Sequence, residues 1–115
     1  MTQPAFYLEF RRLFDAGEYF EAHEVLEDLW RVTEGPDRKF YQGLIQLAVV
    51  LHHVRRGNVV GARNVLITCR NHLAPYRPRH RDLDVDALLA FADRVDERLD
   101  RQPLALPEDI PHLAP

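Results

Sequence analysis

The stretch His23-Glu24-Val25-Leu26-Glu27 places a histidine and a carboxylate four residues apart. On a helix those two positions share a face, so His23 and Glu27 can act on one object. The pattern is similar in geometry to the zinc-protease helix, where the residues at i and i+4 hold the metal and the intervening glutamate is the base. Here the second ligand is a carboxylate, Glu24 takes the base position at the edge, and a third ligand has to come from elsewhere. Trp30 and Glu34 continue the stripe, and Phe20 flanks it.

A second helical segment supplies candidates. Gln42, Gln46, Val49 and His53 fall on one face of it, a polar stripe on an otherwise apolar helix, and His52 points about 100° away. If the two helices form an antiparallel hairpin around Gly35-Pro36, Gln42 and Gln46 bracket Glu27, and His52 or His53 comes within about one turn of His23. Two readings follow. In one, His23, Glu27, His52 and His53 hold a divalent metal, or His23, Glu24 and Glu27 act as an acid–base set for hydrolysis. In the other, Trp30, Gln42 and Gln46 join Glu27 and His23 in a buried hydrogen-bond network that fixes helix register and needs no substrate. Two chemistries lack their residues. The Glu-x-x-His pairs of di-iron bundles are absent. The chain has no serine, and its one cysteine, Cys69, falls on an apolar face, as expected of an inert buried thiol.

A third feature is basic. Residues 38–81 hold nine bases and no acid, whereas residues 1–37 and 82–115 each hold nine acids and three bases. The net charge of −3 hides this acid–base–acid pattern. Arg56, Arg63, Arg70 and Arg77 recur every seven residues, and Arg79 and Arg81 extend the run. Basic residues along one face are the footprint of nucleic-acid binding, and arginine suits bidentate contacts to phosphate or carboxylate. An anionic partner, nucleic acid included, is therefore one alternative. Pairing with the chain's own acidic segments or with a second subunit is the favoured one, because the chain is acidic overall.

The elements that would position these residues are helical nearly throughout. Apolar spacing predicts helices over about residues 4–16, 19–33, 37–56, 59–74 and from Asp82 or Asp84 to about 101. Gly17, Gly35-Pro36 and Gly57-Asn58 separate them. Asp37, Asn58 and either Asp82 or Asp84 are the predicted N-caps. Gly61, inside the fourth helix, predicts close approach of another backbone. Residues 74–81 read as a basic loop, and no strand is predicted. The third helix is apolar nearly all round, which predicts a central position or partial cover by another subunit, and so favours a homodimer. Phe40 and Tyr41 read as packing anchors beside Trp30.

The expectation is an all-α domain over 1–101, a compact array of about five helices around the third, with an irregular Pro-rich tail over 102–115. Leu104, Leu106, Ile110 and Leu113 can anchor that tail. The most apolar run, residues 43–51, is far shorter than the ~20 residues of a membrane span. With a polar N-terminal stretch, the reading is a soluble cytoplasmic protein without a membrane partner.

The segment from Gly17 to Trp30, with its core Ala22-His23-Glu24-Val25-Leu26-Glu27 closing on Trp30, resembles the signature of a small bacterial family, the domain of unknown function 309 family. Phe40-Tyr41-Gln42-Gly43-Leu44-Ile45-Gln46, the His52-His53 pair, Arg56-Gly57-Asn58 and Gly61-Ala62 continue the resemblance in order, over about residues 6–74. It implies an all-helical single domain and carries no activity with it. Three functional readings stand side by side: a metal-binding or hydrolytic site between the second and third helices, an interaction module, and a structural domain whose polar cluster only fixes packing.

Overall fold

The periodic segments become five helices in the computed structural model, which describes residues 2–115. They are α1 (Gln3–Asp15), α2 (Tyr19–Val32), α3 (Asp37–Arg55), α4 (Val59–Leu73) and α5 (Val85–Arg98). Gly17, Gly35 and Gly57 take positive φ at the three turns between α1 and α4. Glycine adopts that conformation without the Cβ clash that penalises other residues. Asn58 caps α4 by accepting from the Gly61 amide at 2.9 Å, and Asp84 caps α5 by accepting from Ala87 at 2.9 Å. Asp37 does not cap α3. The helix begins at that residue, and its carboxylate bonds instead to His80 and Arg81.

Helix α3 is the centre of the fold. Phe40, Leu44, Leu47, Ala48, Val50 and Leu51 are fully buried between α2 on one side and α4 on the other. Burying a side chain of the Val, Leu or Phe class stabilises by ~1.5–3 kcal/mol relative to leaving it exposed. One stripe of α3 stays only half-buried: Gln42, Ile45, Gln46, Val49, His52 and His53. Phe40 and Tyr41 are core residues, as their type predicts.

Close approach between helices occurs at Gly43, not Gly61. A Cβ at Gly43 would stand 2.7 Å from Leu73 Cδ2 and 2.8 Å from its Cγ, both on α4. At Gly61 the crowding comes from the capping side chain of Asn58. Cys69 faces the same contact, donating to the Gly43 carbonyl at 3.4 Å. Burial pushes its thiol up to about 12, so it stays protonated and inert.

Residues 74–84 hold more structure than a loop. A 3₁₀ turn over Ala74–Tyr76 leads into a two-residue antiparallel ladder, β1 (Arg79–His80) with β2 (Leu83–Asp84). Arg81 and Asp82 form its tip, with φ of 47° and 67°. Both left-handed positions of such a turn normally take Asn or Gly, which is why the residue types give no strand signal.

The irregular tail folds back onto α1. Leu113 is buried, and Leu104, Leu106 and Ile110 pack against the core. Arg11 and Asp15, one turn apart, hold Leu113 from both sides. Arg11 Nε donates to the Leu113 carbonyl at 2.6 Å, and the Asp15 carboxylate accepts from the amides of Leu113 and Ala114 at 2.7 Å each. The radius of gyration, 13.2 Å, is that of a single body of this length, tail included. Among the described residues no helix is long and apolar enough to cross a membrane.

Gly43→Ala is expected to lower stability by ~1–3 kcal/mol through overpacking of a buried contact, read as a lower urea midpoint with helical content retained. Asp15→Ala is expected to cost a similar ~1–3 kcal/mol by removing the acceptor for two amides. Hydrogen exchange should then show lost protection at Leu113 and Ala114 while α3 stays protected.

Candidate functional site

The motif residues lie where α2, α3 and α4 present one continuous face. His23, Glu27 and Trp30 come from α2, the stripe from Gln42 to His53 from α3, and His72 from α4. All are half-buried, and Glu24 is exposed at the edge. The site is therefore an open surface, which corrects the expectation of a buried one. Two shallow hollows mark it. One of about 250 Å³ is lined by Phe20, His23, Glu24, Glu27, Asp28 and Arg31. The other, about 310 Å³, is lined by Glu27, Trp30, Gln42, Ile45 and Gln46.

His23 and Glu27 share a face as their spacing requires, with Nε2 and Oε2 3.9 Å apart. Each has a nearer partner. His23 Nδ1 lies 2.5 Å from the Phe20 carbonyl. Glu27 accepts from Arg31 at 2.5 Å, and Asp28 pairs with the same guanidinium at 3.0 Å. The paired histidines do not join them. The Phe20 ring stands between His23 and His52, with centroids at 4.9 and 5.3 Å. His53 turns to the α4 cap, 3.2 Å from Asn58 Nδ2. Among the described residues no three His, Cys, Asp or Glu side chains converge as metal donors.

The polar network takes a different route from the expected one. Gln46 Oε1 meets His72 Nδ1 at 2.7 Å, across the α3–α4 seam. Trp30 is outside it: its indole N–H has no partner among the described residues, and Arg38 lies over its ring at 4.0 Å. Sequence spacing misses His72 because α4 reads as the basic helix. Placing α3 and α4 level around Gly57 would have set His72 beside Gln46.

The arginines answer to α5. Arg63 pairs with Asp100 at 2.8 Å, Arg70 with Asp93 at 3.5 Å and Arg77 with Asp86 at 2.6 Å. Asp96 bridges Arg63 and Arg70 at 3.7 and 3.2 Å. Each step of seven forward along the arginines is a step of seven back along the aspartates, the register of an antiparallel ladder. Such exposed pairs are individually worth ~0–1 kcal/mol. Arg81 pairs with Asp37 at 3.4 Å. Arg79 reaches only the Asp82 carbonyl, at 3.4 Å, and Arg56 is exposed with no ion pair among the described residues.

The family model for a domain of unknown function, DUF309, matches residues 7–65, just over half of the chain. The chain belongs to the DUF309 family. The match takes in all of α2 and α3, and with them the face described above. The DUF309 chain is similar to the uncharacterized protein YpuF of Bacillus subtilis (strain 168), at 36% identity over 104 residues. That alignment covers 84% of this chain and 58% of YpuF. It is also similar to an uncharacterized protein of Aquifex aeolicus (strain VF5), at 28% identity over 83 residues, 71% of this chain and 25% of the relative. The DUF309 chain thus spans little more than half of one curated relative and a quarter of the other. No solved structure matches it.

His52 gives the face a pH signature. Burial, then the neighbouring Arg56, His53 and His23, hold its imidazole below the ordinary histidine value. The folded protein therefore takes up that proton less readily than the unfolded chain. The stability tied to His52 is complete above the ordinary value of about 6.5 and falls as pH drops below it. His52→Gln is expected to flatten the acid side of the urea-midpoint profile and leave the neutral side unchanged.

Proposed function

We propose that this chain works as a helical interaction module and that its α2–α3 face receives a second copy of the same chain. The observation that carries the reading is the half-buried stripe on the central helix. Ile45 and Val49 are only half-buried on α3, and Phe20 on α2 is 45% exposed. The unpartnered indole N–H of Trp30 lies on the same face. A central helix that leaves apolar side chains open is suited to cover by another subunit.

The occupant follows from charge. One part of the face carries Glu24, Glu27 and Asp28, three carboxylates against the single guanidinium of Arg31, and the end near the α3 C-terminus carries His52, His53 and Arg56. An isologous dimer joins the same patch to itself. A two-fold axis through the middle of the face sets the acidic strip of one copy against the histidine end of the other.

The 3.9 Å approach of His23 to Glu27 favours a second reading, in which these two residues supply part of a divalent-metal site and the second copy completes it. The anionic-partner alternative has less support, because four of the six arginines already pair within the chain.

Sedimentation equilibrium is expected to give a dimer whose dissociation constant rises with salt. Val49→Glu should yield a monomer of unchanged helical content. A wild-type protein that remains monomeric as concentration rises overturns the proposal. Zinc titration of the wild type and of His23→Ala separates the second reading: equal uptake by both removes it.

A further inference from the structure

A cavity larger than either hollow of the α2–α3 face lies away from it. It measures about 500 Å³, between α1, the hairpin, the first turn of α5 and the tail. Arg11 lines it, and Arg11 is the one charged side chain buried among the described residues, with 4% of its surface exposed. Its Nε is taken by the Leu113 carbonyl, and its guanidinium stacks 5.3 Å from the Tyr7 ring centre. No carboxylate pairs with it among the described residues, although ion pairs involve seven other arginines. The two terminal nitrogens have no hydrogen-bond partner among the described residues, yet they are not sealed from solvent. Burying a cation without a counter-charge is costly, so a buried guanidinium facing a cavity is matched to an anion that enters it.

The other walls narrow the chemistry. Arg79 lines the same cavity and makes only one long contact, to the Asp82 carbonyl. Asp82 and Asp84 line it too, and Asp84 has one carboxylate oxygen committed to the α5 cap. Two cationic and two acidic side chains leave this wall close to neutral, and the His112 imidazole beside them is turned to Asp15 at 3.3 Å. A multiply charged phosphate would meet the aspartates, whereas a carboxylate fits the fork of Arg11. Leu83, Leu88 and Leu113 add apolar surface. A smaller hollow of about 360 Å³ also has Arg11 in its wall, but its other arginine, Arg81, is already paired with Asp37.

We infer that this cavity binds a small zwitterion with an apolar side chain, a free amino acid or a short peptide, carboxylate toward Arg11 and Arg79 and ammonium toward Asp82 and Asp84. The volume lies within the range of small-molecule pockets. The site is independent of the α2–α3 face and of any self-association there.

The test is a set of calorimetric titrations of the full chain with leucine, leucyl-leucine, isocaproate and inorganic phosphate, with amide shifts of Leu83 and Leu113 followed by NMR. Leucine or leucyl-leucine should bind saturably and move both amides, and the two arms tell free amino acid from peptide. Isocaproate, which lacks the ammonium, should bind about tenfold more weakly, the ratio equivalent to 1.4 kcal/mol. Arg11→Lys should weaken binding about tenfold or more, because one ammonium replaces a bidentate fork. Arg79→Gln is exposed and keeps the fold, so it decides the matter if Arg11→Lys does not fold. It should weaken binding in the same direction. The inference is overturned if neither zwitterion binds, if isocaproate or phosphate binds as tightly as the zwitterions, or if Arg79→Gln leaves affinity unchanged.

Discussion

Everything on the candidate face depends on how closely α4 can approach α3. The absence of a side chain at Gly43 lets Leu73 seat where a Cβ would otherwise stand, 2.7 Å from its Cδ2. That seating buries Cys69 and Leu73 completely and carries His72 to within hydrogen-bonding distance of Gln46. It also leaves the outer stripe of α3 uncovered, because α2 and α4 occupy its flanks. The open surface is thus a consequence of packing that is tight at the core, since close-packed interiors yield little to a change of volume.

The arginine heptad shows how a sequence signal can be right in spacing and ambiguous in meaning. Arg63 and Arg70 share a face of α4, as seven-residue spacing requires, Arg77 follows beyond the helix end, and basic faces often meet nucleic acid. What settles their direction is a second heptad running the other way, Asp86 and Asp93 on α5 and Asp100 just past its end. Both heptads are present in the sequence. Only the antiparallel register of α4 and α5 aligns them, and register is a tertiary property.

The helices themselves are legible because apolar residues repeat at helical spacing and Gly17, Gly35 and Gly57 punctuate them. The hairpin is not, because Arg81 and Asp82 hold left-handed conformations without the residues that usually announce them. The site is legible in part. Spacing places His23 and Glu27 on one face, and level placement brings α2 alongside α3. Side-chain direction is not fixed by level, so Phe20 comes to lie between the histidines and His53 turns to Asn58. Glu27 has Arg31 four residues away, a local partner that competes with any distant one.

The clamp of Arg11 and Asp15 on Leu113 joins residues nearly one hundred positions apart. Its closure entropy grows only slowly with that separation, so its thermodynamic cost is modest. Its kinetic weight is larger, because long-range contacts slow folding. During synthesis α1 emerges before the tail, so its last turn cannot acquire these partners until the tail has left the ribosome. The segment from α2 to α4 can consolidate beforehand through short hairpin contacts. Of the five helices α1 is accordingly made before the others, yet its last turn gains its partners only when the tail docks.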